Sequence, residues 1–145
     1  MGPPLRTPEE FTRIAQDRLP GLLGIRAIAV DAGRVRLELP IQERLLAPNG
    51  YLHAGTVVSL ADTAAGYATL SLLDEGESFT TIELSASFLG TAREGTLVAE
   101  THARHVGRTT HVWDVEVTVP GKPKPVALFR CTQLVLRSRV TSPGT

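Results

Sequence analysis

The chain has 145 residues, and its 15 Lys and Arg residues balance 15 Asp and Glu residues, so the formal net charge is zero. This length suits one domain with a sizeable core, and the balanced charge argues against a general nucleic-acid binder. Hydrophobic residues make up 42% and charged residues 21%, a globular rather than a disordered composition. The one cysteine, Cys131, excludes an internal disulfide and favours a reducing, cytoplasmic setting.

The N-terminal segment, residues 1–19, is predicted to contain a short helix over residues 8–18. Pro8 suits the first helical turn, Thr7 is placed to cap it, and PEEFTRIAQDR has apolar residues at helical spacing. The sequence LPGLLG is then expected to end the helix. The segment lacks the apolar region of a secretory signal, so none is predicted.

A β-hairpin is predicted next. Residues 25–30 and 34–41 have strand-like patterns, and Asp31-Ala32-Gly33 between them indicates a turn. In the second strand apolar residues alternate with charged ones, which gives one buried and one solvated face.

Residues 54–73 are predicted to form one long helix in which Asp62 is the only charged residue. Pro48-Asn49-Gly50 is a turn signal before the helix, and Gly76 lies where a left-handed cap would end it. A carboxylate among apolar and small neighbours is costly unless it is paired, hydrogen-bonded or used in chemistry. A membrane span is disfavoured because this helix contains Asp62 and several Ser and Thr residues and has no Lys or Arg at its ends.

The sequence His53-Ala54-Gly55 marks the start of this helix. Free backbone N–H groups at a helix start point outward and hold developing negative charge. An acid and an oxyanion site on one helix suggest acyl-transfer chemistry. At ~1.5 Å rise per residue, Ala54 and Asp62 lie ~12 Å apart along the axis. Because that distance is too long for both to act on one bond, two copies of the chain are expected to share each site.

The second half of the chain is predicted to be almost entirely strand. The predicted strands cover residues 79–88, 96–106, 109–119 and 126–137, and residues 138–145 are expected to form a tail. The last three strands have short connections, which indicates an antiparallel meander. A long helix wrapped by a curved antiparallel sheet would bury the helix and one sheet face, which is the α+β hotdog architecture.

Four motifs follow one another in the chain: NGYLHAG, LADTAAG, TTIELSASFLGTAREG and HVGRTT. Together they resemble the hotdog-fold thioesterases of the phenylacetate-degradation (PaaI) and 4-hydroxybenzoyl-CoA type, over roughly residues 20–137. The resemblance implies hydrolysis of an acyl-CoA to a free acid and coenzyme A. It implies no cofactor, since coenzyme A is part of the substrate, and a homo-oligomer, at least a dimer and usually a tetramer.

The resemblance also implies roles for individual residues. Asp62 would act as nucleophile or general base, and the backbone N–H groups at Ala54 and Gly55 would bind the thioester oxygen. Thr81 would place a hydroxyl beside the acid or its water, with Thr80 as the alternative in strand register.

Two positions before the helix have alternative roles. His53 either transfers a proton or holds the loop by hydrogen bonds. The family commonly carries an amide six residues before this histidine, where this chain has Ala47. Asn49 lies two residues nearer and would need a shifted loop to replace that amide.

Candidate phosphate-binding residues for coenzyme A lie in the second half of the chain. Arginine gives bidentate, always-charged contacts to phosphate oxygens, although solvated surface is the ordinary alternative. His102 and His105 lack a second pair of ligands, so no metal site is predicted. The candidates are Arg93, Arg104, Arg108, Thr109 and Thr110.

Two other functions stay open. A hydratase or dehydratase of the same fold places an Asp–His pair differently, whereas nine residues at ~100° put His53 and Asp62 on opposite sides of their helix. A non-catalytic acyl-CoA sensor or carrier is the second, because the amide is missing at Ala47. The acyl group, aryl or aliphatic, is not indicated.

Overall fold

A computed structural model describes residues 7–137; the predicted tail at 138–145 lies outside the described residues. In chain order the elements are α1 Pro8–Ile14, α2 Leu19–Leu23, β1 Arg26–Asp31, β2 Arg34–Pro40, a 3-10 turn Glu43–Leu45, α3 Ala54–Leu70, β3 Glu77–Phe88, β4 Thr96–Val106, β5 Thr110–Thr118 and β6 Ala127–Arg137.

The six strands form one antiparallel sheet in the order β1-β2-β4-β5-β6-β3. Strands β4, β5 and β6 are sequential neighbours, so the predicted meander is confirmed. Helix α3 contacts β2 through β6, which places it along the inner face of the sheet. The predicted hotdog architecture is therefore confirmed.

The core lies between α3 and the inner face of the sheet. Along β5 alternate residues are buried, and the intervening ones face outward. This alternation follows from the two-residue period of a strand. Four of the ten buried residues on α3 are alanines, whose small side chains let strands approach the helix closely: Ala61, Ala64, Ala65 and Ala68. No helix within residues 7–137 is long and apolar enough to cross a membrane.

Helix α3 ends at Leu70, so the predicted end at residue 73 is wrong. The Ser71 hydroxyl donates to the carbonyl of Ala68 at 2.7 Å and accepts the N–H of Gly33 at 2.7 Å. The second bond ties the helix end to the β1–β2 hairpin. Gly76, with φ 86°, lies in the turn that leads into β3 and is not the cap of the helix.

The N-terminal segment folds into two short helices instead of one. The predicted cap is confirmed, because the Thr7 hydroxyl accepts the N–H of Glu10 at 3.2 Å. The predicted helix over residues 8–18 already ends at Ile14, and LPGLLG, expected only to end that helix, itself forms α2, with Pro20 in the first turn. Gly24, with φ 90°, caps α2 in the left-handed conformation that favours glycine.

Candidate active site

Asp62 lies midway along α3 and faces β3. The Thr81 hydroxyl donates to its Oδ1 atom at 2.8 Å. The carboxyl group is partly buried, and this burial raises its pKa, while the hydrogen bond from Thr81 opposes the rise. The exposed neighbour Thr80 pairs with Leu134, on the other face of the strand. The contact expected between the acid and a strand hydroxyl is thus made by Thr81.

A second polar side chain, unpredicted from the sequence, completes this cluster. Gln133 is fully buried, and its Oε1 atom lies 3.0 Å from Oγ1 of Thr81. Thr81 and Gln133 are direct partners across β3 and β6, so both face inward. The alternation of buried residues in β6 offered a signal: it places a costly buried amide beside Cys131.

The start of α3 is organised by His53. Its Nδ1 atom accepts the N–H of Gly55 at 2.8 Å, and its carbonyl accepts the N–H of Thr56 at 3.0 Å. The first bond places the ring proton on Nε2. His53 therefore holds the loop as a helix cap, and the N–H of Gly55, expected to bind substrate oxygen, is already engaged. Within residues 7–137 the N–H of Ala54 has no acceptor.

The turn before the helix uses the amide of Asn49 internally. Its Oδ1 atom accepts the N–H of Tyr51 at 3.1 Å, and the N–H of Ala47 donates to the carbonyl of Tyr51 at 2.6 Å. The Asn49 side chain is exposed. Its carbonyl oxygen thus stabilises the turn, and the structure provides no contact between Asn49 and Asp62.

Of the predicted phosphate-binding residues, Arg93 lies beside the helix start. Its guanidinium sits 4.6 Å from the ring centroid of Tyr51, a cation–π contact. The N–H of Leu52 donates to the Thr91 hydroxyl at 3.2 Å, which joins the same two loops. Arg93 thus presents positive charge next to Ala54's loop.

Arg104, another predicted phosphate ligand, is held in an ion pair. Its Nε atom lies 2.6 Å from Oδ2 of Asp114 on the outer sheet face, where Asp114 also binds Arg130. Hydrogen bonds from Arg130 and Arg104 lower the pKa of Asp114 to about 2. Because Asp114 holds the Arg104 guanidinium in an ion pair, Arg104 is less free to bind a phosphate than an unpaired arginine.

The β4–β5 hairpin carries the remaining candidates, Arg108, Thr109 and Thr110. The carbonyl of Arg108 accepts from the Arg137 guanidinium at 2.8 Å, and that of Thr109 accepts the N–H of Val135 at 2.9 Å. These bonds fasten the hairpin to β6. The Arg108 side chain is exposed at the tip.

A second buried polar cluster lies near the end of α3. The Trp113 indole N–H donates to the Thr69 hydroxyl at 2.8 Å, and that hydroxyl lies 3.0 Å from Nδ1 of His111. All three side chains are buried. Burial lowers the pKa of His111. Because Thr69 accepts from Trp113, its own proton is available to Nδ1, which favours a neutral His111 with its proton on Nε2.

Comparison with known proteins decides the family. A family model described as Thioesterase superfamily matches residues 49–125, which include the start of α3 and Asp62. The chain belongs to the thioesterase superfamily. It is accordingly a thioester hydrolase.

Named relatives agree with this assignment. The thioesterase is 31% identical over 117 residues to the 1,4-dihydroxy-2-naphthoyl-CoA hydrolase of Listeria monocytogenes. The matched region covers 81% of this chain and 94% of the relative. It is 36% identical over 109 residues to the acyl-coenzyme A thioesterase PaaI of Escherichia coli, covering 74% and 75%. The sequence-based resemblance to PaaI-type thioesterases is confirmed.

Solved structures share the fold. A crystal structure of a mutant of the thioesterase PA1618 from Pseudomonas aeruginosa superposes with a TM-score of 0.85 at 32% identity, covering 90% of this chain and 94% of that one. The structure of the Escherichia coli PaaI protein gives 0.73 at 33% identity, covering 79% and 81%.

Proposed function

We propose that this thioesterase hydrolyses an acyl-CoA, with Asp62 as nucleophile or general base and the N–H of Ala54 as oxyanion donor. The observation that carries the proposal is the partly buried Asp62 carboxylate, held by Thr81 on the helix whose first N–H is free. The names of two relatives, a 1,4-dihydroxy-2-naphthoyl-CoA hydrolase and an acyl-coenzyme A thioesterase, support a coenzyme A thioester as substrate.

The chemistry has two routes. In the first, the Asp62 carboxylate removes a proton from water as the water oxygen adds to the thioester carbonyl carbon. In the second, the carboxylate itself adds, and water hydrolyses the resulting mixed anhydride. In both, the carbonyl oxygen gains negative charge opposite the N–H of Ala54, and the carbon–sulfur bond breaks to release the coenzyme A thiolate. Burial raises the basicity of Asp62, which favours either role.

Each site is proposed to combine Asp62 of one protomer with Ala54 of another. Eight residues separate them on α3, which at ~1.5 Å per residue places them ~12 Å apart within one chain. The carbonyl carbon and oxygen of a thioester are directly bonded, only ~1.2 Å apart, so one protomer is unable to supply both contacts.

Strand β3 supports pairing of two protomers. It is an edge of the sheet and runs for 12 residues, and an edge strand leaves backbone N–H and C=O groups unpaired. Leu84 and Phe88 pair with the buried Cys131 and Ala127, so they lie on the inner face, yet they are 42% and 47% exposed. A second copy along β3 would cover them. We propose a dimer as the minimum, with a tetramer formed through other faces.

Coenzyme A is proposed to bind across the loops near the helix start and the β4–β5 hairpin. Arg93 and Arg108 have exposed guanidinium groups suited to phosphate oxygens. Thr109 and Thr110 would add hydroxyl contacts, and Arg104 is less favourable because Asp114 pairs with it.

A thiol-release assay over aryl, short-chain and long-chain acyl-CoAs tests the proposal. The wild type should release coenzyme A from at least one class, and Asp62→Asn should lower kcat by ~10²–10⁴-fold while acyl-CoA still binds. Glu94→Gln, an exposed carboxylate change, is the control for loss of one charge. A wild type that binds acyl-CoA without releasing thiol would instead favour the sensor or carrier function.

A further inference from the structure

The Thr81 hydroxyl has one proton but two oxygen atoms within reach. Oδ1 of Asp62 lies at 2.8 Å and Oε1 of Gln133 at 3.0 Å. A hydroxyl donates one full hydrogen bond and accepts others. With the Gln133 amide oxygen toward Thr81, the carboxylate and the amide therefore compete for the same proton.

This competition disappears when the Gln133 side-chain amide is rotated so that its oxygen and nitrogen exchange positions. Amide oxygen and nitrogen have nearly the same shape, so the hydrogen-bond network assigns them. With Nε2 toward Thr81, the amide donates to Oγ1, and the only proton of Thr81 goes to Asp62. Oε1 then takes the place of Nε2, which lies 3.4 Å from the sulfur of Cys131.

Cys131 has a proton to give in this arrangement. The thiol is fully buried, and burial, with the nearby charge of Asp62 as the next cause, raises its pKa to about 12. A thiol S–H is a weak donor and suits the amide oxygen. The bonds then run in one direction: Cys131 to Gln133, Gln133 to Thr81, and Thr81 to Asp62.

We propose that Gln133 is a positioning residue that commits the Thr81 hydroxyl proton to Asp62 through this directed chain of donors. The inference rests on the proposed function of Asp62. Gln133 has no exposed surface, so solvent does not substitute for it. The pairing of Thr81 with Gln133, and the bulge that follows between Thr81 and Glu83, fix both side chains on the inner face.

Other titratable groups surround the cluster on the packed elements. His111 of β5 is the cross-strand partner of Gln133, Glu83 lies on β3, and Cys131 lies on β6. His111 uses its Nδ1 atom toward Thr69 of α3. Among the hydrogen bonds of residues 7–137, the Thr81 hydroxyl is the direct link between Gln133 and Asp62, so a change in the ionisation of Asp62 reports this link.

The direction of the pH shift in Gln133→Met decides the inference. If Gln133 donates to Thr81, removing the amide weakens the hydrogen bond from Thr81 to the Asp62 carboxylate and raises the pKa of Asp62. The acid limb of the kcat/KM profile then moves to higher pH by about half a unit or more. Activity should then fall about threefold on the acid limb and change little on the plateau. If instead the amide oxygen competes for the Thr81 proton, its removal frees that proton for Asp62, and the limb moves down.

Gln42→Met, at an exposed glutamine, is the matched control and should keep the wild-type profile. An acid limb that is unmoved or lowered in Gln133→Met overturns the inference. If that variant does not fold, NMR of the wild type decides: the Gln133 side-chain N–H protons should show stronger contacts to Thr81 than to Cys131, and the reverse overturns it. An active Asp62→Asn would overturn the proposed function, whereas an inactive one with the contrary Gln133 result overturns only this inference.

Discussion

The tip of the Phe79 ring packs closely against Gly66. A Cβ atom placed on Gly66 would come within 2.7 Å of the ring Cζ atom. Gly66 follows Asp62 by four residues on α3, and Phe79 precedes Thr81 by two on β3, so each pair shares a face. This close approach of helix and strand brings the Thr81 hydroxyl within hydrogen-bond distance of Asp62.

Gly66→Ala should therefore destabilise the protein by ~1–3 kcal/mol, because the added methyl forces the Phe79 ring to move. Chemical denaturation measures the free energy of unfolding. Phe79→Leu shortens the opposing side chain, so the double variant should lose less stability than the sum of the two single variants. Strict additivity would show that the contact does not determine the helix–strand distance.

Asp62→Asn should stabilise the folded protein at pH 8. The pKa of Asp62 is raised in the folded state, so ionisation costs folding stability above that pKa and costs nothing below the unfolded value of 3.8. The asparagine oxygen still accepts from Thr81. Thermal unfolding should show a higher Tm for the variant at pH 8 and a difference that shrinks as the pH falls. Glu94→Gln controls for net charge, and a lower Tm for Asp62→Asn at pH 8 would contradict the prediction.

Stability should also decline on acidification because of His111. Its folded-state pKa is lowered by burial, so below about pH 6.5 the unfolded chain binds a proton that the folded chain does not. The loss should continue until the pH passes the folded-state pKa. His111→Asn should flatten the dependence of unfolding free energy on pH in this range. The unfolding free energy of the variant at pH 8 gives the cost of the substitution to packing alone. An unchanged pH dependence in His111→Asn would contradict the attribution of the acid loss to His111.

The alternation of apolar and polar residues made the strands in the second half of the chain predictable. The predicted strand 96–106 coincides with Thr96–Val106, and the other three agree within two residues at each end. The helix end was missed because Ser71 bonds Gly33, a contact between distant parts of the chain. Helix α2 was missed because Pro20 and Gly24 usually signal breaks, although proline suits a first turn and glycine a C-cap.

The candidate site was partly predictable for similar reasons. A charged residue in an apolar helix drew attention to Asp62, and Thr81 was placed beside it by resemblance. Gln133 was missed because its partner Thr81 is 52 residues away, and only the strand register brings them together. The occupied N–H of Gly55 was missed because it depends on the rotamer of His53.

Ala54→Pro offers a clean removal of the proposed oxyanion donor. Ala54 is the first residue of α3, where proline is well tolerated, and His53 has φ −69° and ψ 133°, a conformation suited to a residue before proline. The variant should fold and lose ~10²–10³-fold in kcat. Ala54→Gly, which keeps the N–H, should retain most activity.

Mixing Ala54→Pro with Asp62→Asn tests most directly whether two protomers share each site. After unfolding and refolding together, half of the dimers are mixed, and each mixed dimer has one site with both native groups, so about a quarter of wild-type activity should return. Each variant refolded alone should stay inactive. If the refolded mixture, shown by mass spectrometry to contain mixed dimers, remains as inactive as its parents, then Asp62 and Ala54 do not act across protomers and the account is wrong.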